Sequence, residues 1–160
     1  YAMGFYFSSP EATRDQTATM QALRAINEYM ERYPASPKIP LCQIRIEELQ
    51  GKLYDKSFYN ARTYYKTRRY KAAIIALRNA LDEFPQTPHR EEILYLIAVS
   101  NYRLAHNSIE EKQGERYLNV LDSYYSFINE YPESKHRKEL ERYIKEAKDY
   151  MDKNNIDKQK

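Results

Sequence analysis

Ala80-Leu81-Asp82-Glu83-Phe84-Pro85-Gln86-Thr87 reads as the end of one helix followed by the start of another. The same phrase stands at Tyr29-Met30-Glu31-Arg32-Tyr33-Pro34-Ala35-Ser36 and at Phe127-Ile128-Asn129-Glu130-Tyr131-Pro132-Glu133-Ser134. In each, an aliphatic residue precedes two polar ones, an aromatic, a proline, one spacer and a hydroxyl. The aromatic packs the last turn, and proline, with no N–H and a fixed φ, stops the helix there. The Ser or Thr then caps the next helix. Ser36-Pro37 and Thr87-Pro88 add a proline at the first helical position, where its missing N–H costs nothing. Pro34, Pro85 and Pro132 are 51 and 47 residues apart, which leaves room for two helices per unit.

The segments between these joints carry the helical period. Leu23, Ile26, Met30 and Tyr33 form one stripe. Tyr70, Ala73, Ile74, Leu77, Leu81 and Phe84 form another, beside Ala72, Ala76 and Ala80, whose small side chains admit a close neighbour. Ile93, Leu94, Ile97, Ala98 and Tyr102 make a third, and Val120, Leu121, Tyr124, Phe127, Ile128 and Tyr131 a fourth. Leu140, Tyr143, Ile144, Ala147 and Met151 complete the set, with a densely charged back that suits a terminal cap over about Lys135–Asp152. Between Pro40 and Thr67, Cys42, Ile46, Leu49 and Leu53 share one face while Tyr54, Phe58, Ala61 and Tyr65 share another. The reading is one long helix facing different neighbours at its two ends. The alternative is two helices broken near Gly51, which costs about 1 kcal/mol inside a helix.

The boundaries that follow are 1–10 for the end of a preceding helix and its loop, and 11–34 for the second helix of a partial repeat. Then come 35–85 for a repeat with a long first helix, 86–132 for a repeat with an inserted turn, 133–154 for the cap, and 155–160 for a frayed tail. Tyr1–Phe7 is apolar without the basic lead or cleavage site of a signal peptide, and reads as the end of a helix that begins upstream.

Composition agrees. The 160 residues are a prior for one domain, and only 3 are glycine, too few for the tight turns of a sandwich or barrel. Lys+Arg 26 against Asp+Glu 23 gives a net charge of +3, which does not suggest a dedicated nucleic-acid binder. The one cysteine, Cys42, excludes an internal disulfide. Mean hydropathy is −0.90, and the longest apolar run, Ile93–Val99, is far short of a bilayer span. The 17 tyrosines suit thin helical layers, where a ring can be buried while its hydroxyl stays near water.

The second unit resembles the tetratricopeptide pattern. Ala73-x3-Leu77-x2-Ala80-x4-Pro85 matches its second helix, and Ala61-x2-Tyr64 matches part of its first, although Asn60 replaces a leucine and the early tryptophan is absent. Pro34 and Pro132 close degenerate copies, the latter after about ten extra residues around His106–Gln113. The expected fold is all-α: a right-handed superhelical stack of tetratricopeptide-like helix pairs.

A closer resemblance covers Ser57–Arg103. Tyr64-Tyr65, the basic turn Thr67-Arg68-Arg69, the alanine-rich run Tyr70–Phe84, Pro85–Thr87 and the run Glu91–Leu104 follow the order seen in the BamD family of outer-membrane β-barrel assembly lipoproteins. The resemblance implies the carboxyl-terminal part of a non-catalytic scaffold on the periplasmic face of the outer membrane, lipid-anchored in the full-length protein. Its implied partners are the POTRA domains of the barrel subunit and other assembly lipoproteins, with no cofactor and no nucleic acid. Cys42 does not serve as the lipidated cysteine, because Leu41 precedes it where a small residue is required. The amino-terminal repeats with which the family meets its substrates are missing or cut here, so substrate contacts do not carry over.

Chemistry is sparse. His89 and His136 each lie four residues after a repeat proline, where the first copy has Lys38, and are expected in an exposed first turn; His106 is expected in the inserted loop. Neither a metal-ligand spacing nor a nucleophile motif nor a phosphate-binding glycine loop occurs. The acidic pairs Glu47-Glu48, Glu91-Glu92 and Glu110-Glu111 are sequence neighbours, which do not face each other on a helix. No enzyme activity, metal or cofactor is expected. The most directional charge is Lys56, Arg62, Lys66, Arg68, Arg69, Lys71 and Arg78, a run with no acidic residue and with Tyr64, Tyr65 and Tyr70 interleaved. It can be read as the wet face of a repeat, as a protein-docking patch or as a nucleic-acid surface. For docking, the contact residues expected are Arg68, Arg69, Lys71, Arg78 and Arg90. The alternative to an outer-membrane scaffold is a generic tetratricopeptide adaptor that reads a peptide tail.

Overall fold

A computed structural model describes residues 1–12 and 14–154. Seven helices follow one another among them: α1 (Ala2–Ser8), α2 (Thr17–Arg32), α3 (Ile39–Lys66), α4 (Tyr70–Glu83), α5 (Arg90–His106), α6 (Glu110–Glu130) and α7 (Arg137–Asn154). The described residues contain no strand. The expected tail, 155–160, lies outside the described residues. The length predicts one domain, but contacts divide the chain into two compact units, one of residues 1–59 and one beginning at Asn60. Helix pairs that touch only their neighbours have no shared centre, so their contacts separate readily.

In the first unit α1 packs on α2, and Ala22, Ile26 and Leu49 form a small core with Phe5, Leu23 and Ile46 around it. A polar ladder along one face of α3 holds α1 and the loop after it. The Tyr6 hydroxyl donates to Glu48 at 2.5 Å, Arg45 donates to both, Lys52 donates to the Ser9 carbonyl at 3.1 Å, and Lys56 donates to the Arg14 carbonyl. These α3 residues lie at i, i+3, i+7 and i+11, one stripe of a helix. Helix α3 runs unbroken through Gly51, so the two-helix alternative does not occur. Tyr33, expected in the α2 stripe, is 51% exposed, although Phe84 and Tyr131, with the same backbone geometry, are half-buried.

In the second unit α4 packs on α5, α5 on α6, and α6 on α7, while α7 also reaches back to α5. That last contact stacks one pair on the next. The core is built from Ala98, Val99, Tyr102 and Ala105 of α5, Tyr117, Val120 and Phe127 of α6, and Leu140, Tyr143, Ala147 and Met151 of α7. Of the residues expected to define the repeat, Ala61, Ala73, Leu77 and Ala80 are buried, whereas Tyr64 is 37% exposed under the Arg69 guanidinium.

The three proline joints share one geometry. Their closing aromatics, Tyr33, Phe84 and Tyr131, sit at φ −131°, −131° and −130°. At Pro85 the Phe84 N–H donates to Ala80 O, Thr87 N–H to Phe84 O, Arg90 N–H to Thr87 O and Ile93 N–H to His89 O, and equivalent bonds recur at Pro34 and Pro132. The hydroxyls stand two residues before the cap instead of at it, and Pro37 and Pro88 fall in the turn before the helix, not at its first position. Ser36, Thr87 and Ser134 each accept the N–H two residues on, at 3.2, 3.2 and 3.1 Å, so they brace the turn before the helix and leave the helix's own N-cap without a side-chain bond at His89.

At the 47-residue spacing, α7 carries charge at positions where α5 is mostly apolar. Glu141, Arg142, Lys145, Glu146, Lys148, Asp149 and Asp152 stand where α5 has Leu94, Tyr95, Ala98, Val99, Asn101, Tyr102 and Ala105. Leu140, Tyr143, Ile144, Ala147 and Met151 of α7 stay buried, Glu146 is turned toward Tyr102 of α5, and the other charged positions are exposed or half-buried.

Candidate docking cleft

Helix α3 ends in a Schellman turn. The Arg69 N–H donates to Tyr64 O and the Arg68 N–H to Tyr65 O, both at 2.9 Å, which is the paired bond pattern of that motif. This turn delivers Arg68 and Arg69 to the mouth of a surface cleft of about 990 Å³, floored by Tyr65, Tyr70, Ala72 and Leu104 and rimmed by Lys71, Ile75, Arg103 and Asn107. Four exposed cations therefore share one cleft that has no carboxylate in its lining. None of the four is ion-paired among the described residues; Arg69 lies over the Tyr64 ring at 5.4 Å and Arg103 over the Tyr102 ring at 5.9 Å. Ile75 is 55% exposed between Lys71 and Arg78 on the outer face of α4, so the rim offers apolar surface beside charge.

Of the expected contact residues, the fold brings Arg68, Arg69 and Lys71 together. Arg78 is exposed on α4, one helical turn past Ile75 and outside the cleft lining. Arg90 is already engaged. It grips Glu130 with two bonds of 2.7 and 2.8 Å and donates a third, of 3.3 Å, to the Pro85 carbonyl; the hydrogen bond it gives lowers the Glu130 carboxyl below its ordinary range. Lys56 is likewise spent on the Arg14 carbonyl. Sequence reasoning missed Arg103, which joins the cleft only because α5 packs on α4; its one local signal is a lone cation near the end of an apolar helix.

The histidines need correcting. His106 is the last residue of α5, because the extra residues lengthen α5 and α6 instead of forming a loop. Its Nδ1 is 3.0 Å from Glu146. His136 is stacked on Tyr95, with ring centroids 3.8 Å apart, and its side chain is only 17% exposed; His89 is half-buried too.

Behind the cleft, α5 and α7 are joined by tyrosine–glutamate pairs in constant register. Tyr95 donates to Glu139 at 2.8 Å and Tyr102 to Glu146 at 2.6 Å, each pair 44 residues apart and one seven-residue step from the next. Tyr143 also donates to Glu139, at 2.7 Å, and its ring stacks on Tyr102 at 3.9 Å. Burial first, then the facing carboxylate, raises Tyr95 and Tyr102 well above the ordinary phenol range. For Glu139 burial acts to raise the carboxyl, but the hydroxyls of Tyr143 and Tyr95 outweigh it and the net shift is downward. No group of three or more His, Cys, Asp or Glu among the described residues is placed to hold a metal ion, and none of the described helices is long and apolar enough to cross a membrane.

Paired helices and a joint repeated three times define a tetratricopeptide-like helical repeat fold, which here carries a basic cleft. Residues 2–118 match the family model YfiO, described as an outer membrane lipoprotein, and the chain belongs to that family. It is 25% identical over 113 residues to the outer membrane protein assembly factor BamD of Caulobacter vibrioides. That match covers 71% of this chain but 37% of the relative, so the chain spans little more than a third of that protein's length. Every residue lining the cleft falls inside the family match.

Proposed function

We propose that this chain is the carboxyl-terminal repeat segment of a non-catalytic scaffold in outer-membrane β-barrel protein assembly. It works on the periplasmic face of the outer membrane, with the full-length protein lipid-anchored there. Its partners are the POTRA domains of the barrel-forming subunit, with other assembly lipoproteins alongside. The observation that carries this reading is the coincidence of a cleft holding four unpaired cations with the residues matched to an outer membrane lipoprotein family. Arg68, Arg69, Lys71 and Arg103 would meet carboxylates of the partner, since guanidinium forks suit planar, two-point recognition. Arg78 would extend that surface along α4, and Arg90 would act only by fixing the joint that α5 starts from.

The test is a double charge reversal, Arg68→Glu with Arg69→Glu, in the full-length protein. Docking to purified POTRA domains should fall at least tenfold while the helical circular-dichroism spectrum is kept. Unchanged docking discards the cleft as the contact surface. A cytosolic location without a barrel-assembly partner would instead favour the peptide-adaptor reading, for which the exposed Ile75 among cations is equally suited. Nucleic-acid binding has less support, because Lys56 is consumed within the fold and, of the three interleaved tyrosines, Tyr65 and Tyr70 are half-buried and Tyr64 lies under Arg69.

A further inference from the structure

Arg68 has φ 59°, and it is the one non-glycine residue with positive φ among the described residues. It occupies the position after the helix cap where the Schellman turn calls for a left-handed backbone, a place that glycine fills without steric cost and a side chain with Cβ does not. The apolar contact that normally accompanies this turn, between the residue after the left-handed one and the third from the helix end, is here Arg69 over Tyr64. The chain thus places arginine at both turn positions, and both line the cationic cleft. Thr67 reinforces the arrangement, its hydroxyl donating to the carbonyls of Thr63 and Tyr64 at 2.9 and 3.1 Å.

We propose that Arg68 is a strained anchor: its left-handed backbone gives up stability to project a guanidinium at the cleft mouth, where it captures a carboxylate-bearing protein segment. Strain of this kind persists where the surrounding structure over-determines it, and here the two 2.9 Å backbone bonds do so. Arg69, over Tyr64, lines the same cleft as Lys71 and Arg103, so the carboxylates that Arg68 captures meet further cations beside it. This deepens the docking reading above and rests on it for the identity of the natural partner, though not for the chemistry of capture.

The experiment compares the unsubstituted chain with Arg68→Gly, Arg68→Lys and the control Arg24→Gln, an exposed arginine of α2 that is not in the cleft lining. Thermal unfolding is followed by circular dichroism, and binding of a labelled hexaglutamate peptide is followed by anisotropy at low salt. Arg68→Gly should melt about 2–4 °C higher, because strain is released, and bind about tenfold more weakly. Arg68→Lys should keep the original melting point and part of the binding, and Arg24→Gln should match the unsubstituted chain in both. The inference is overturned if Arg68→Gly gains no stability, if its binding is unchanged, if Arg24→Gln loses as much, or if the unsubstituted chain does not bind the peptide. If the peptide depends on Arg68 but purified POTRA domains do not bind, the anchor stands and the proposed function falls.

Discussion

Replacing Glu139 tests the seam that fixes one helix pair on the next. Its half-buried carboxylate accepts from Tyr95 at 2.8 Å and from Tyr143 at 2.7 Å, and Tyr143 is only 4% exposed. A hydrogen bond to a charged group contributes about 1.5–3 kcal/mol when well buried, and partial solvation of Glu139 places each bond at or below the low end. Glu139→Ala should therefore cost about 2 kcal/mol at pH 7, or roughly 4–8 °C in midpoint. Glu139→Gln keeps an acceptor but no charge and should cost about half as much. The pH dependence has a definite sign. The folded carboxyl titrates below its unfolded value, so its contribution is full above about pH 4.3 and is lost as pH falls through the folded value. Urea unfolding of the parent and the Gln variant, repeated from pH 7 down to pH 3, should show their difference shrinking at the acid end. A double-mutant cycle with Tyr95→Phe should give a coupling of about 1 kcal/mol. An Ala variant that loses under about 0.5 kcal/mol, or a parent–Gln gap that stays constant across this range, refutes the reasoning.

Gly51→Ala should stabilise the first unit by about 1 kcal/mol in urea unfolding, because Gly51 is interior to α3 and an added Cβ meets nothing within 4 Å. Arg90→Ala should cost about 0.5–1 kcal/mol, and less in high salt, because the Arg90–Glu130 side chains are 34% and 40% exposed. The same variant should leave hexaglutamate binding unchanged.

What could be read in advance was what local chemistry dictates. Proline after an aromatic ends a helix whatever surrounds it, so the three joints were legible, as was the long α3, whose stripe drifts from Leu49 to Phe58 without a breaker stronger than Gly51. The charges that stand in α7 where α5 is mostly apolar were visible in the sequence as well. Partners 40 or more residues away were not: Arg90 finds Glu130, and Arg103 comes to the cleft, only through packing between helices. The seam left a faint trace, since Tyr95 and Tyr102 repeat at the same seven-residue step as Glu139 and Glu146. The left-handed Arg68 left none, because no residue type signals its own unfavourable backbone.

The cleft as docking face is tested most directly by site-specific photocrosslinking in cells. A photoreactive residue at Ile75, exposed on the cleft rim, should crosslink the barrel-forming subunit, whereas one at Tyr125, exposed on α6 outside the cleft, should not. Crosslinks to that subunit from Tyr125 and none from Ile75 would contradict the account.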